Sequence, residues 1–520
     1  MSDHLSAPEQ PPGGSPAAGS QEARRPGPRR ARSFAGALGL TVAGSVLPGT
    51  AFLATGRRKL GAVTLLVFLL LVAAAVYLAT AGRRTAIRWA VQADSLLWII
   101  GGVVVVATAW ILIVVTGYRM VTPRPTRWWQ HGIGALVVLL LAAAVAVPAV
   151  EVGRLAAIQR NLITDVFGHH QSATVVDKAD PFAGKDRVNV LLLGGDSGPG
   201  RTGLRTDTVV VASIDTHTGN TTLLSLPRNL ENLPFPPGSA LAAAYPNGFT
   251  AAKEDEGLLN AVYDNAPSAH PGLVGASDNP GADWLKLGVG TALGLHIDYY
   301  ALVNMAGFST LVDALGGITV NTNYWVPING IPNSRVLPDD YFTPGPNQHL
   351  DGWHALQWAR GRFGLSDYLR MDRQRCALDA ILKAADPATV LNSYQKIAKT
   401  AENSIKTDIP ESALQEFVDL GFKAKNADVR SVVFDTNAIT PAYPDYGKIR
   451  NLVQQALSGE VAPQSAPPAA PSSDPAAATP SGTPSLSGPA PVSETSNACA
   501  YNPTEAQAAL AQGKPPTRQG

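Results

Sequence analysis

Five arginines fall in the sixteen residues from Arg360 to Arg375, and only Asp367 and Asp372 stand among them to balance the charge. Surface ion pairs are worth about 0–1 kcal/mol each and do not account for such an excess. Arginine meets phosphate oxygens two at a time, so the imbalance points to a polyanionic ligand. Arg370, Arg373 and Gln374 stand at i, i+3 and i+4 and share one helical face. Arg375, one position on, turns about 100° off that face and is expected to be dispensable.

A second set of polar residues collects at the ends of apolar runs. Asp196 closes RVNVLLLGGD, Arg205 and Asp207 open RTDTVVVASID, and Arg228 follows TTLLSLP. Two carboxylates on adjacent strand ends can give hard oxygen ligands to Mg²⁺, which takes one or two carboxylates together with phosphate oxygens. Either aspartate alone reads rather as a turn or cap residue. The glycine-rich stretch from Gly194 to Gly200 lacks both Gly-Lys-Ser/Thr and G-x-G-x-x-G, which argues against a nucleotide loop.

These residues need elements to hold them. Arg187–Gly195 is apolar without alternation and predicts a central strand covered on both faces. Thr208–Ile214 and Thr222–Leu226, joined by a turn at His217–Asn220, predict a hairpin. Ligands of open α/β sheets bind outside strand ends, where Asp196, Arg205, Asp207 and Arg228 all emerge. Asp351 is placed to cap a helix that ends at the arginines. After a break at Gly361–Gly364, Ser366 or Asp367 caps a second helix to about Ala385, with Leu369, Cys376, Ala377, Ala380 and Ile381 on its packed side. From Ile297 to Val320 a helix, a glycine stop and a strand follow; their apolar face is core or the wall of a lipid-tail tunnel.

The charge balance, 41 Lys+Arg against 40 Asp+Glu, argues against a nucleic-acid binder carried by bulk positive charge. Charged residues make up only 16% of the chain, a deficit that implies membrane segments. Residues 1–33 read as a disordered cytoplasmic tail and 34–59 as an interfacial or re-entrant segment. Residues 60–150 hold three apolar runs, Leu60–Thr80, Leu96–Thr116 and Gly132–Val150, the last ending near Pro148. A stalk follows over 151–184, then an α/β domain over 185–459 and a disordered Pro/Ser/Ala-rich tail over 460–520. Eight Lys or Arg precede the first run, so the N-terminus is expected inside and everything after Val150 outside. An oxidising exterior and a tether able to fold back predict a disulfide between Cys376 and Cys499, against the alternative of a buried thiol and an unrelated tail cysteine.

Together the motifs VNVLLLGGDS, RTDTVVVASID, TTLLSLPRN, MAGFSTLVDALGGITV, LDGWHALQWARGR and DYLRMDRQR resemble, in order, those of the LytR–CpsA–Psr family of cell-wall glycopolymer ligases, over about residues 185–385. The resemblance implies a mixed central sheet sandwiched by helices, outside the cytoplasm, with an apolar channel for a polyprenyl chain. It implies a multi-pass cell-membrane phosphotransferase that attaches a polyprenyl-pyrophosphate-linked glycopolymer to peptidoglycan or an equivalent wall acceptor. Asp196 and Asp207 would hold Mg²⁺ (or Mn²⁺). Arg228, Arg360, Arg362, Arg370 and Gln374 would grip the pyrophosphate, with Arg205 and Arg373 as further candidates. The chain departs from the family's pattern at Asn229, where aspartate is usual, and in an enlarged 231–285 segment. A pyrophosphatase, or a non-catalytic regulator that binds lipid phosphate, are the alternatives.

Overall fold

The structure, a computed structural model, describes residues 31–168, 171–175, 181–182, 184–196, 203–331, 334–385, 389, 404–434, 439–458, 492–494 and 499–518. The chain divides into two compact units, Met1–Val76 with Val103–Val150, and Tyr77–Gly102 with Glu151–Gly520.

In the first unit, Ser33 Oγ accepts the Gly36 amide and starts α1 (Phe34–Val46), which turns at Gly49 (φ 106°) into α2 (Thr50–Ala54). A Cβ on Gly49 would strike the Gly61 backbone, so only glycine permits this close approach. At 1.5 Å per residue α1 rises about 20 Å, short of the ~30 Å of hydrocarbon, in keeping with an interfacial or re-entrant segment. The helices that follow along the chain are α3 (Arg58–Ala79), α4 (Arg83–Ala90), which belongs to the second unit, α5 (Ala93–Val121) and α6 (Trp128–Phe167). Among the described residues, α3, α5 and α6 are the three helices long and apolar enough to cross a membrane. Leu66, Leu70 and Val105 stand exposed on them, a surface suited to lipid and costly in water. The third run does not end at Pro148: α6 continues to Phe167 and takes up half of the expected stalk. Proline removes one helical hydrogen bond, a loss that an otherwise long apolar helix absorbs.

In the second unit the strands are β1 (Arg187–Asp196), β2 (Arg205–Asp215), β3 (Thr221–Leu226), β4 (Tyr299–Asn304), β5 (Ile318–Thr322), β6 (Val326–Ile328), β7 (Asp340–Phe342), β8 (Gly345–Leu350), β9 (Ile405–Thr407), β10 (Val429–Val433) and β11 (Val492–Glu494). Its helices are α7 (Ala240–Ala244), α8 (Val262–Ala269), α9 (Pro280–Leu293), α10 (Met305–Ala314), α11 (Gly352–Arg360), α12 (Asp367–Ala384), α13 (Leu414–Ala424), α14 (Tyr446–Ser458) and α15 (Pro503–Ala511). One mixed sheet has the order β11-β10-β3-β2-β1-β4-β9, and β5 with β8 and β6 with β7 form two small ladders. Leu191, Leu193, Val209, Val211 and Leu224 face Trp284 and Val289 of α9 and Ile449 and Val453 of α14. Val210, Ala212 and Leu223 turn to the other side, against Leu378 of α12. Cover on both faces is why β1 shows no alternation. A smaller core gathers Val312, Ile318, Val320, Trp358 and Ala377, with Phe308 partly buried against it.

β1 runs parallel to β4 and β3 parallel to β10, while β2 is antiparallel to both its neighbours. The C-terminal ends of β1, β3, β4 and β10 therefore meet the start of β2 at one edge of the sheet. Just before α5, α4 packs on α13: Arg88 donates to Gln415 Oε1 at 3.2 Å, and Arg84 lies 5.2 Å from the centre of the Phe422 ring.

Cys376 on α12 and Cys499 form a disulfide with Cα atoms 5.6 Å apart. The end of the expected disordered tail is structured, because the disulfide is joined by specific contacts. Asn321 Nδ2 donates to the Cys499 carbonyl at 3.0 Å, Trp325 Nε1 to the Ala509 carbonyl at 2.9 Å, and Lys514 pairs with Asp340 at 2.6 Å. β11 pairs with β10 at the sheet's edge. The disorder expected for residues 1–30 and 459–491, and the glycine-rich stretch after Asp196, lie outside the described residues.

Candidate functional site

The site is built on the sheet edge just described. Gly194 opposes Thr208 and Gly195 opposes Thr206, which leaves Asp207 as the extra residue of a β-bulge. Bulges re-aim side chains, and this one delivers Asp207 to the turn after β3. Asp207 Oδ1 accepts Arg228 Nη1 and Asn260 Nδ2, each at 3.0 Å. Burial pushes the Asp207 carboxyl up, but Arg228, Asn260 and Arg370 outweigh it and hold the group below the ordinary aspartate value.

Three arginines converge on one carboxylate. Asp367 Oδ1 lies 3.0 Å from Arg362 Nη1 and 3.5 Å from Arg228 Nε, and its Oδ2 lies 3.0 Å from Arg370 Nη2. Arg370 also reaches the Asp207 carbonyl at 3.5 Å. Its Nε is buried with no hydrogen-bond partner among the described residues. Burial pulls the Arg370 guanidinium below its ordinary range; Asp367 and Asp207 oppose that pull, while Arg228 and Arg362 add to it. Arg360, half-exposed at the end of α11, stands 3.8 Å from Asp196 Oδ2. Gln374 lines a cleft of about 10 Å³ with Asp207, Arg228 and Met371. That holds about one water.

Two of the predicted anion ligands are otherwise engaged. Arg205 pairs with Glu256 at 2.6 Å and donates to the Asp255 carbonyl. Arg373 is buried and donates to the carbonyls of Trp358 and Gly361 and to the Tyr324 hydroxyl. It shapes the turn that carries Arg360 and Arg362, and is a positioning residue. Arg375 does point off the face, yet it is 1% exposed and donates to Ser431 Oγ at 2.7 Å. It bolts α12 to β10, a buried contact that the sequence expectation of dispensability did not foresee.

Sequence reasoning missed Asp367 and Asn260 as site residues. Ser366 Oγ accepts the Leu369 amide and is the cap of α12, which frees Asp367 for the arginines. Its position three residues before Arg370 was the available signal. Asn260 lies in the enlarged 231–285 segment, where no pattern marks it.

Asp196 and Asp207 supply two hard carboxylates at this edge, and both recorded side-chain hydrogen bonds of Asp207 fall on Oδ1. Among the described residues, no group of three or more His, Cys, Asp or Glu could hold a metal ion. This donor set fits Mg²⁺ sharing its shell with phosphate oxygens and water, and does not fit an all-protein cage.

Residues 160–446 match the LytR_cpsA_psr family. A polyisoprenyl-teichoic acid–peptidoglycan teichoic acid transferase TagU of Enterococcus faecalis is 31% identical over 230 residues, 43% of this chain and 62% of that protein. A protein of the same name from Oceanobacillus iheyensis is 30% identical over 246 residues, 46% of this chain and 65% of its own. The chain thus spans less than two thirds of the length of either relative. The crystal structure of Bacillus subtilis TagV aligns at 24% identity and a TM-score of 0.36, over 53% of this chain and 98% of that one.

Proposed function

This chain belongs to the LytR–CpsA–Psr family, and from that premise we propose that it moves a glycopolymer from a polyprenyl pyrophosphate carrier to peptidoglycan or an equivalent wall acceptor, releasing polyprenyl phosphate. The observation that carries this is the gathering of Arg228, Arg362 and Arg370 around the carboxylate of Asp367, beside Asp207. A diphosphate offers the same guanidiniums more charge and more oxygens than one carboxylate does. The names of the Enterococcus and Oceanobacillus relatives, which join a polyisoprenyl-linked donor to peptidoglycan, support the same chemistry.

In the reaction, an acceptor hydroxyl oxygen attacks the phosphorus bonded to the glycopolymer. The new P–O bond forms as the bond from that phosphorus to the bridging oxygen breaks. The electron pair stays on polyprenyl phosphate, and the hydroxyl proton is lost to solvent. Such transfer needs positioning and charge neutralisation more than covalent help, and it needs no ATP because the donor is already a phosphoanhydride. Arg228, Arg362 and Arg370 would hold the non-bridging oxygens, with Arg360 at the exposed rim and Gln374 alongside. Mg²⁺ (or Mn²⁺), held by Asp196 and Asp207, would neutralise further charge on the phosphates.

The packing of α4 on α13 supports a domain outside the cytoplasm. It keeps the segment between α3 and α5 with the domain, while the basic run Arg57–Lys59 precedes α3 at its other end. Both observations support a multi-pass membrane enzyme that works beside its lipid-linked substrate.

The test is the full chain reconstituted in vesicles with a polyprenyl-pyrophosphate-linked glycan and isolated peptidoglycan. Covalent attachment of glycan to peptidoglycan is expected. Donor consumption with only soluble glycan released would replace transfer by hydrolysis. Donor binding without consumption would leave a lipid-phosphate-binding regulator.

A further inference from the structure

A second concavity, ≈ 510 Å³, opens from the same edge of the sheet as the arginines. One wall is the segment that follows β3 and Arg228 and includes Asn232, Phe235, Tyr245 and Asn247; the other follows β10 and brings Tyr443 and Tyr446. Because β3 and β10 are parallel, both walls leave from strand C-terminal ends, where ligands of α/β sheets bind. Asn232 is four residues past Arg228, so the two backbones are at most ~14 Å apart along the chain.

The walls are fixed before any ligand arrives. The Glu231 amide donates to the Pro441 carbonyl at 3.0 Å, and the Tyr446 hydroxyl donates to the Glu231 carbonyl at 2.7 Å. Asn232 adopts a left-handed backbone (φ 53°), and a Cβ at Gly248 would collide with it, so only glycine fits opposite. Tyr245 is braced by the rings of Phe249 at 5.2 Å and Trp284 at 5.9 Å. Tyr443, by contrast, is 85% exposed.

Among the described residues no charged side chain lines this cavity; beyond the residues named, its surface is proline, alanine and glycine. A phosphate or carboxylate would find no counter-charge there, and a lipid tail would bury amides and hydroxyls without partners. A sugar ring meets both demands, with a C–H face for the tyrosines and hydroxyls for the asparagine amides. We propose that this cavity is a saccharide subsite, which holds an uncharged sugar unit of the glycan being joined at the arginine cluster. That it serves the transfer rests on the function proposed above; that it binds sugar does not.

The test uses the full chain in detergent, titrated calorimetrically with chitotetraose, with muramidase-released peptidoglycan fragments, with glycan cleaved from the donor, and with inorganic pyrophosphate. At least one saccharide should bind saturably, and Tyr443→Ala and Asn247→Ala should each weaken it about tenfold while pyrophosphate affinity stays unchanged. Both positions lie on the cavity wall outside the cluster, and Tyr443 is exposed enough that its truncation leaves the fold intact. In the transfer assay, a raised KM for peptidoglycan alone assigns the subsite to the acceptor, and a raised KM for the lipid-linked glycan alone assigns it to the donor. Failure of every saccharide to bind, or binding unaltered in both variants, overturns the proposal. Saccharide binding without pyrophosphate binding would instead overturn the transferase reading and leave the subsite standing.

Discussion

Asp207 Oδ1 lies 3.0 Å from Arg228 Nη1, so one ion pair joins the bulge of β2 to the turn after β3. Neither residue has a sequence neighbour that could hold it there. The sheet brings them together, and α12 closes the group from above with Asp367 and Arg370.

Arg362→Ala should slow glycopolymer transfer by about 10–100-fold, since a charge-assisted contact is worth roughly 1.5–3 kcal/mol. Its side chain is 29% exposed, so thermal unfolding should move little. Steady-state transfer rates and a melting curve on the same preparation check both halves.

Arg375→Ala should destabilise the domain by about 1.5–3 kcal/mol, because it removes a buried charge-assisted bond to Ser431. Urea unfolding of the detergent-solubilised chain reads this. A midpoint equal to that of the parent would show that the bolt between α12 and β10 carries no energy.

How far these residues were legible follows from what each depends on. The arginine cluster could be read because its charge imbalance is local, and β1 because cover on both faces leaves an unbroken apolar run. Asp207 was legible as a strand-end carboxylate, but its bulge depends on cross-strand register that sequence does not print. Arg373 shares the face of Arg370 in sequence, and Arg375 was legible only as lying off it. Only the packing of Tyr324 on one side of α12 and Ser431 on the other separates a positioning residue and a bolt from a ligand. The docked C-terminal segment was hidden because its hold comes from Asn321, Trp325 and Asp340, far away in the chain.

Cys499→Ser should release the segment from Cys499 to Arg518. A bridge across 123 residues constrains the unfolded chain strongly, and native disulfides typically contribute about 2–4 kcal/mol. Chymotrypsin should then cut at Tyr501 and Leu510 well before the rest of the domain, and the melting temperature should fall. Unchanged proteolysis would mean that the polar contacts suffice alone.

Acid should weaken the site through Asp207. Its carboxyl is held below the ordinary aspartate value of 3.8, so its stabilisation is complete above that value and lost as pH falls through the lower, folded one. Asp207→Asn should therefore remove part of the loss of stability below about pH 4 and leave the pH dependence near neutrality as it was. Urea midpoints of the two proteins from pH 2 to 7 decide it; parallel curves would place the acid-sensitive group elsewhere.

The most direct measurement is the ratio of polyprenyl phosphate released to glycan covalently attached, followed in vesicles that hold the full chain, a lipid-linked donor and peptidoglycan. One polyprenyl phosphate per attached glycan is predicted, with release abolished when peptidoglycan is withheld and slowed in step with attachment by Arg228→Ala. Release that continues without peptidoglycan, or attachment that survives Arg228→Ala undiminished, would contradict the assignment of this cluster as the site of transfer.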